Sequence, residues 1–428
     1  MQRYESYKPS GMEWLGDIPD TWDMCRNIGL FKERKEINQP DMELLSVTIN
    51  RGVIRQEEIT EKKDSSTEDK SKYKVVRKDD LAYNKMRMWQ GAIGRSEYEG
   101  IVSPAYVILA PRDNLYSRYY HYLYRTEAFI AEANRHSYGL CLDMNSLRYE
   151  DFKTIYSPVP PRTEVERIIA FLDQKNAEID AAITKKERLI ELLAEQKSIL
   201  ISNVVTRGLS TQVDTHESGV AWLGKIPTHW NLKPLKRLVD FIGGGTPNKN
   251  NPSFLDGDIP WISPKDMKLE KISRSQDCIT DSALKKTSVK LIPAGAVLVV
   301  VRGMILSRTF PVAVTELPVT INQDMKGLIP KMGIDAEFLR YVLSGQEAHI
   351  LDLTEESGHG TKTMPMDKLG GFPFVIPPLP EQVQIRNYCG EISESIGKII
   401  GQIRKQLTQL HAFKATLVAA SVSGKAKI

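Results

Sequence analysis

The sequence predicts an α+β protein built as an internal repeat: two similar globular α+β regions separated by two long antiparallel coiled-coil helices, related as a pseudo-two-fold pair. Three observations carry this prediction. A short Trp-containing stretch occurs twice. Two long stretches have the apolar spacing of extended helices. The regions between them mix Val-rich, strand-like runs with short helical ones.

The repeat comes first in chain order. Residues 11–22 read GMEWLGDIPDTW and residues 219–230 read GVAWLGKIPTHW. Gly11, Trp14, Leu15, Gly16, Ile18, Pro19 and Trp22 recur as Gly219, Trp222, Leu223, Gly224, Ile226, Pro227 and Trp230, at a constant offset of 208. Further echoes pair PPRTEVERI (160–168) with PPLPEQVQI (377–385), and QKSILISNVVTRG (196–208) with FKATLVAASVSGK (413–425). Self-similarity of this kind marks a duplicated structural unit. It divides the chain into a first globular region at 1–158, a long helix at 159–208, a second globular region at 209–376 and a second long helix at 377–428.

The first long helix is bounded by Pro161 and Gly208, with neither residue type between them. Pro at a helix start and Gly just past its end is the expected asymmetry. Roughly 45 residues give a rod near 68 Å. Leu172, Ile179, Ile183, Ile190, Leu193, Leu200 and Val204 follow an alternating 3/4 spacing, with Asn176, Lys186 and Lys197 as polar exceptions. That is a coiled-coil seam. The second helix spans about 381–423, with a seam of Ile385, Cys389, Ile392, Ile396, Ile399 and Ile403 that shifts to Leu407, Leu410 and Leu417. Gly390, Gly397 and Gly401 weaken it in isolation, and close approach of a partner backbone is the expected compensation.

In the globular regions, AVLVVVRG (296–303) reads as a strand, with further strands at 310–315 and 318–322. Residues 73–76, 80–84 and 101–109 play the same part in the first half. Short helices are expected at 116–135 and 335–351, a solvated loop at 61–72 and a hinge at 211–219.

A net charge of +4 permits nucleic-acid binding without requiring it. Cys25, Cys141, Cys278 and Cys389 form no CxxC pair, and no HExxH occurs, so a zinc or redox centre is not expected. No apolar run reaches membrane-spanning length, and the N-terminus has no signal-like apolar segment. A cytoplasmic location is the expectation.

The whole order resembles the specificity subunit of type I restriction-modification systems. The resemblance rests on the two WLG-x-IP-x-x-W openings, the two Pro-Pro/Glu helix starts, the run AGAVLVVVRG, the INQD run at 321–324 and the C-terminal VAASVSGKAKI. It implies two target-recognition domains, each reading one half of a bipartite, asymmetric site in double-stranded DNA. It implies antiparallel spacer helices that dock two methyltransferase subunits, with two motor-nuclease subunits joining them. S-adenosylmethionine, ATP and Mg would be used by those partners for adenine-N6 methylation and restriction. This chain would bind no cofactor or metal and catalyse nothing. The first helix start departs from the pattern: it has Glu164-Val165 where the second has Glu381-Gln382.

Reading base edges needs Arg, Lys, Asn or Gln, and phosphate contacts need cations and backbone N–H groups. In the first half the richest window is YNKMRMWQGAIGR (83–95), with Asn84, Lys85, Arg87, Trp89, Gln90 and Arg95 as candidates; NSLR (145–148) is a weaker second. In the second half the candidates are Gly244 and Thr246 of a glycine-rich loop, Lys265, Arg302, Arg308, Asn322, Gln323 and Lys362. The alternative for each is a solvated turn. Two decoys are set aside. FIGGG (241–245) fits a methyltransferase glycine pattern, but no Asn-Pro-Pro follows. Pro19-Asp20 with Glu33 and Lys35 fits a nuclease pattern, but Asp20 is Thr228 in the other copy. A scaffold that binds only proteins is the competing class.

Overall fold

The computed structural model describes residues 2–49, 51–59, 69–139, 145–210, 212–248, 250–357 and 360–428. Cys141, Thr211, Lys249, His359 and residues 61–68 of the polar stretch lie outside the described residues. The chain divides into two compact units, Met1–Lys186 with Arg404–Ile428, and Glu187–Ile403. The long helices run Arg162–Arg207 and Leu379–Val422, so each unit holds one part of each helix.

The repeated opening folds the same way in both units. Tyr7–Pro9 pairs antiparallel with Asp17–Pro19 in the first, and Thr215–Glu217 with Lys225–Pro227 in the second. The stretch expected to be a hinge is therefore partly a ladder. Leu15, Ile18 and Trp22 are buried, as are Leu223, Ile226 and Trp230. The seven shared identities thus include the buried side chains, and the repeat is a packing element. Gly424 follows the second long helix at φ +73°, and a Cβ there would stand 3.2 Å from the Trp22 ring and closer still to Pro19. Gly208 follows the first long helix at φ +81°, with the Trp230 ring 3.2 Å from its Cβ position. Positive φ and an abutting indole both require glycine at these helix ends.

In the first unit Phe31–Glu33, Tyr106–Pro111, Leu81–Asn84 and Ile93–Arg95 form an antiparallel sheet in that spatial order. In the second, Val239–Gly243, Met325–Pro330, Val297–Val300 and Val312–Thr315 repeat the order, and Lys271–Ile272 adds a parallel edge. Val297–Val300 is wholly buried, as its unbroken apolar run requires. The strand expected at 101–109 is two strands, Gly100–Val102 and Tyr106–Pro111, because Ser103-Pro104 interrupts the ladder.

Each expected flanking helix is also a pair. Residues 116–135 resolve into Asn114–Leu123 and Glu127–Arg135, and 335–351 into Ala336–Gly345 and Glu347–Leu351. Thr126 opens a new helix by accepting the Phe129 N–H on its hydroxyl, just as Asp113 and Asp335 cap their own helices. In the first unit, Tyr116, Tyr119 and Tyr120 donate their hydroxyls to the carbonyls of Pro160, Val422 and Pro158 at 2.9, 2.6 and 3.0 Å. These bonds tie the flanking helix to one end of each long helix.

Within the first unit the helices pair antiparallel: Lys414 Nζ lies 2.6 Å from Asp180, and Lys186 donates to Gln406 Oε1 at 2.7 Å. Leu172, Ile179, Ile183, Ile385, Ile396, Ile403 and Leu417 are buried, whereas Ile190, Leu193, Leu200, Ile392 and Leu410 are half-buried. Two readings of the seam need correction. Ile201 and Val205 are buried in the second unit, one residue beyond the predicted Leu200 and Val204, because this helix end packs on the globular core. Ile399 is exposed, and a Cβ on Gly397 or Gly401 would meet nothing within 4 Å, so those glycines do not admit a close backbone.

The two helix starts differ as their sequences do. Gln382 is fully buried; it accepts the Asp335 N–H and donates to the carbonyls of Gly333 and Pro377. Val165 stands in its place in the first helix and is simply buried. Glu381 accepts the Trp230 indole N–H at 3.1 Å, while Glu164 accepts the Tyr4 hydroxyl.

Replacing Gly424 by Ala should destabilise the first unit by at least about 1–2 kcal/mol, the left-handed backbone cost alone. The overlap with Pro19 should make this loss larger than that of Gly208→Ala in the second unit, as read by urea unfolding followed through tryptophan fluorescence.

Candidate nucleic-acid interface

The candidate window of the first half and the stretch of the second that carries Arg302 and Arg308 occupy the same position in the two sheets. Residues 84–90 follow the strand Leu81–Asn84, and residues 301–308 follow Val297–Val300; each strand is third in its four-strand order. Each window ends in a short 3-10 turn, Met88–Gln90 or Met304–Ser307.

In the first unit the loop is held by its own backbone. Lys85 donates its N–H to the Ala105 carbonyl at 3.2 Å and accepts from Leu147 N at 3.1 Å. Asn84 Oδ1 accepts the Met86 N–H at 2.9 Å, and the Trp89 indole donates to the Met86 carbonyl at 3.1 Å. Met88 is buried beneath the loop. Arg87 and Gln90 project outward, and their side chains form no hydrogen bond or ion pair among the described residues. Lys85 and Trp89 are half-buried beside them. Arg95 is different: its guanidinium is taken up by Asp79 and Glu97, and its N–H donates to His121 Nδ1 at 3.1 Å. It braces the sheet edge. Tyr83 is buried, and burial pushes its phenol well up. The NSLR run packs beside the loop through buried Leu147, with Arg148 exposed.

In the second unit six of the candidates converge. Val301 and Arg302 donate N–H groups to the Asp324 carbonyl at 2.8 and 3.2 Å. Gly303 N donates to the Lys362 carbonyl at 3.0 Å, and Arg302 bridges Thr363. Gly245 N donates to the Ile321 carbonyl at 3.0 Å, and Thr246 donates its hydroxyl to Gln323. A side chain on Gly244 would overlap the Asn322 carbonyl, so the glycine is there for backbone approach within the protein. Asn322 is buried and closes a turn by accepting the Asp324 N–H at 3.1 Å. What this locked frame presents outward is Arg302, Gln323 and Thr246. Arg308 is exposed at the far end of the 3-10 turn. Lys265 and Lys362 are ion-paired, with Asp277 at 2.7 Å and Glu356 at 3.4 Å; Asp277 raises the Lys265 pKa. Sequence reasoning passed over Lys326. It lies on the strand opposite Val299, and its Nζ is 3.0 Å from the Cβ position of Gly243. Its place two residues after Asp324 was the available signal.

The decoys dissolve in the structure. Asp20 lies in a pocket with Tyr4, Glu164 and Arg167, while Glu33 pairs with Lys35 at 3.3 Å and Lys74 at 3.8 Å. Phe241–Gly243 is the end of a strand paired with Lys326–Leu328. Among the described residues, no group of three or more His, Cys, Asp or Glu could hold a metal. No helix among them is long and apolar enough to cross a membrane.

Comparison with known proteins finds a family match in the second half. Residues 227–409 match the type I restriction modification DNA specificity domain. This bears out the resemblance read from the sequence. The chain is 38% identical over 154 residues to the specificity subunit of the Escherichia coli type I restriction enzyme EcoR124I/EcoR124II, covering 36% of this chain and 38% of that one. It is 37% identical over 123 residues to the specificity subunit of the Methanocaldococcus jannaschii enzyme MjaIX, 28% of each chain. The matches thus span well under half the length of these relatives. The fold is shared more widely. A chain from a structure of a type I R-M system, concerned with complex assembly and conformational transition, aligns with a TM-score of 0.71 at 15% identity, over 95% of this chain and 98% of that one. The HsdS subunit from Thermoanaerobacter tengcongensis aligns with a TM-score of 0.51 at 17% identity, over 96% and 98%.

The exposed side chains of Arg87 and Arg302 form no hydrogen bond or ion pair among the described residues, so Arg87→Ala and Arg302→Ala should each leave the unfolding free energy within about 0.5 kcal/mol of wild type. Arg95→Ala strands Asp79 and should lose about 1–3 kcal/mol in the same denaturant titration.

Proposed function

We propose that this chain is the DNA-reading subunit of a type I restriction-modification complex and catalyses nothing itself. One observation carries the reading: the loops at 84–90 and 301–308 are the same loop of two copies of one fold, yet they present different side chains. The first offers Arg87 and Gln90 beside Lys85 and Trp89; the second offers Arg302 with Gln323 and Thr246. Arg and Gln are the side chains that pair bidentately with guanine and adenine edges. Two unlike readers in one polypeptide suit an asymmetric, bipartite site, whereas two identical ones would favour a palindrome.

Under this proposal residues 1–158 and 209–376 are the two target-recognition domains, and the long helices set the gap between half-sites. The partners are two methyltransferase subunits, which bind S-adenosylmethionine and modify adenine at N6, and two motor-nuclease subunits, which use ATP and Mg. The chemistry and base extrusion belong to them. The site of action is the cytoplasm, where the DNA is.

Mapping methylated adenines across a genome, with and without this chain, tests the proposal. A bipartite asymmetric motif that appears only with the chain is the expected result. Methylation independent of it, or DNA affinity without sequence preference, would leave a protein-binding scaffold instead. Exchanging residues 83–95 should alter one half-site and leave the other intact; loss of both halves would make the window structural. Four residues inserted in phase within 172–204 should add about 6 Å, a little under two base pairs. A randomised-gap methylation library should then show a longer preferred gap between unchanged half-sites.

A further inference from the structure

The first long helix breaks its apolar spacing at Asn176, Lys186 and Lys197. Lys186 meets Gln406 of the other long helix. Lys197 instead faces the globular part of the second unit. Its Nζ lies 3.0 Å from Glu270 Oε1. The other oxygen of Glu270 lies 3.1 Å from Arg340 Nη1, on the flanking helix Ala336–Gly345. Arg340 Nε donates to Glu337 at 2.8 Å, and the Arg340 guanidinium carbon is 3.9 Å from the centre of the Tyr341 ring. The Arg340 side chain is only 3% exposed. A guanidinium withdrawn from water is strongly unfavourable unless its donors are met, and here two carboxylates meet them. Burial pushes the Glu270 carboxyl up, but Arg340 and Lys197 together outweigh it and hold it below its ordinary value.

The first unit also joins its flanking helix to the long helix through charge, near the start of that helix and not its end. Its flanking helix Asn114–Leu123 turns Arg118 and Tyr122 onto Asp173 of the first long helix, at 2.6 and 2.7 Å. Apolar packing alone is non-directional and tolerates sliding. Charged hydrogen bonds have fixed geometry and do not. Both units therefore hold the flanking helix against the long helix through directional ionic contacts.

We propose that the Lys197–Glu270–Arg340 chain is a positioning device that seats the second recognition domain on the long helix and so restricts the gap lengths accepted between half-sites. It rests on the DNA-reading function proposed above. The two are tested separately. Wild-type chain with its methyltransferase partner is first assayed on a randomised-gap library; absence of any bipartite methylation there overturns the DNA-reading function itself. Glu270→Gln and Lys197→Met are then compared with Lys197→Arg. Both half-sites should be unchanged. The preference for the best gap over gaps one base pair longer or shorter should fall about tenfold in Glu270→Gln and Lys197→Met, and return in Lys197→Arg. Should Glu270→Gln fail to fold by circular dichroism, Lys197→Met, on a half-buried position of the helix, decides. An unchanged gap preference in Lys197→Met, or an equal broadening in Lys197→Arg, overturns the proposal.

Discussion

A buried indole packed against the last turn of a long helix is the contact on which each unit depends. In the first unit, Trp22 lies against Gly424, and Tyr119 fastens its hydroxyl to the Val422 carbonyl. In the second, Trp230 lies against Gly208 and donates its indole N–H to Glu381 at the start of the other long helix. Trp230 and Tyr119 suit this place because each buries a large apolar body while delivering one polar atom to a fixed partner. The contact is distant in sequence in the first unit and near in the second, yet in both the ring lies 3.2 Å from the Cβ position of the glycine. Local propensity therefore does not decide it; the shape of the indole against a side-chain-free residue does.

On that frame the candidate surfaces are built with a strict division of labour. Buried or paired polar groups shape the backbone: Asn322 closes a turn, Gly244 lets two loops meet, and Arg95 is consumed by Asp79 and Glu97. The exposed side chains of Arg87, Gln90 and Arg302 form no hydrogen bond or ion pair among the described residues. Preorganised backbone with uncommitted side chains is what selective recognition of a polar surface requires, since no internal bond must break on binding.

Much of this was legible from sequence. The repeated WLG-x-IP-x-x-W stretch located both indole contacts, and the Pro161-to-Gly208 interval located the first long helix almost to the residue. The window at 83–95 and the single candidate Arg302 fall on equivalent loops of the two sheets, because cations cluster where a strand ends at a surface. The failures have physical causes. The pairing of Lys265 with Asp277 and of Lys362 with Glu356 depends on strand register, which spacing does not reveal. The short helices expected at 116–135 and 335–351 are present, but the break within the first range rests on the Thr126 cap, a one-residue signal. Gly397 and Gly401 face open space and not a close backbone, since composition cannot say which side of a helix is covered. The polar interruptions at Lys186 and Lys197 were visible, but their partners Gln406 and Glu270 were not.

The loops at 84–90 and 301–308 are anchored chiefly through main-chain atoms: Lys85 to Ala105 and Leu147, Val301 to Asp324, Gly303 to Lys362. Peptide groups are common to every residue type except proline, so such anchors survive nearly any replacement of the side chains they carry. Heritable change can therefore accumulate at Arg87, Gln90 and Arg302 without eroding the architecture beneath. A lineage built this way can acquire new preferences by drift at a few solvent-facing positions while every helix and strand stays where it was.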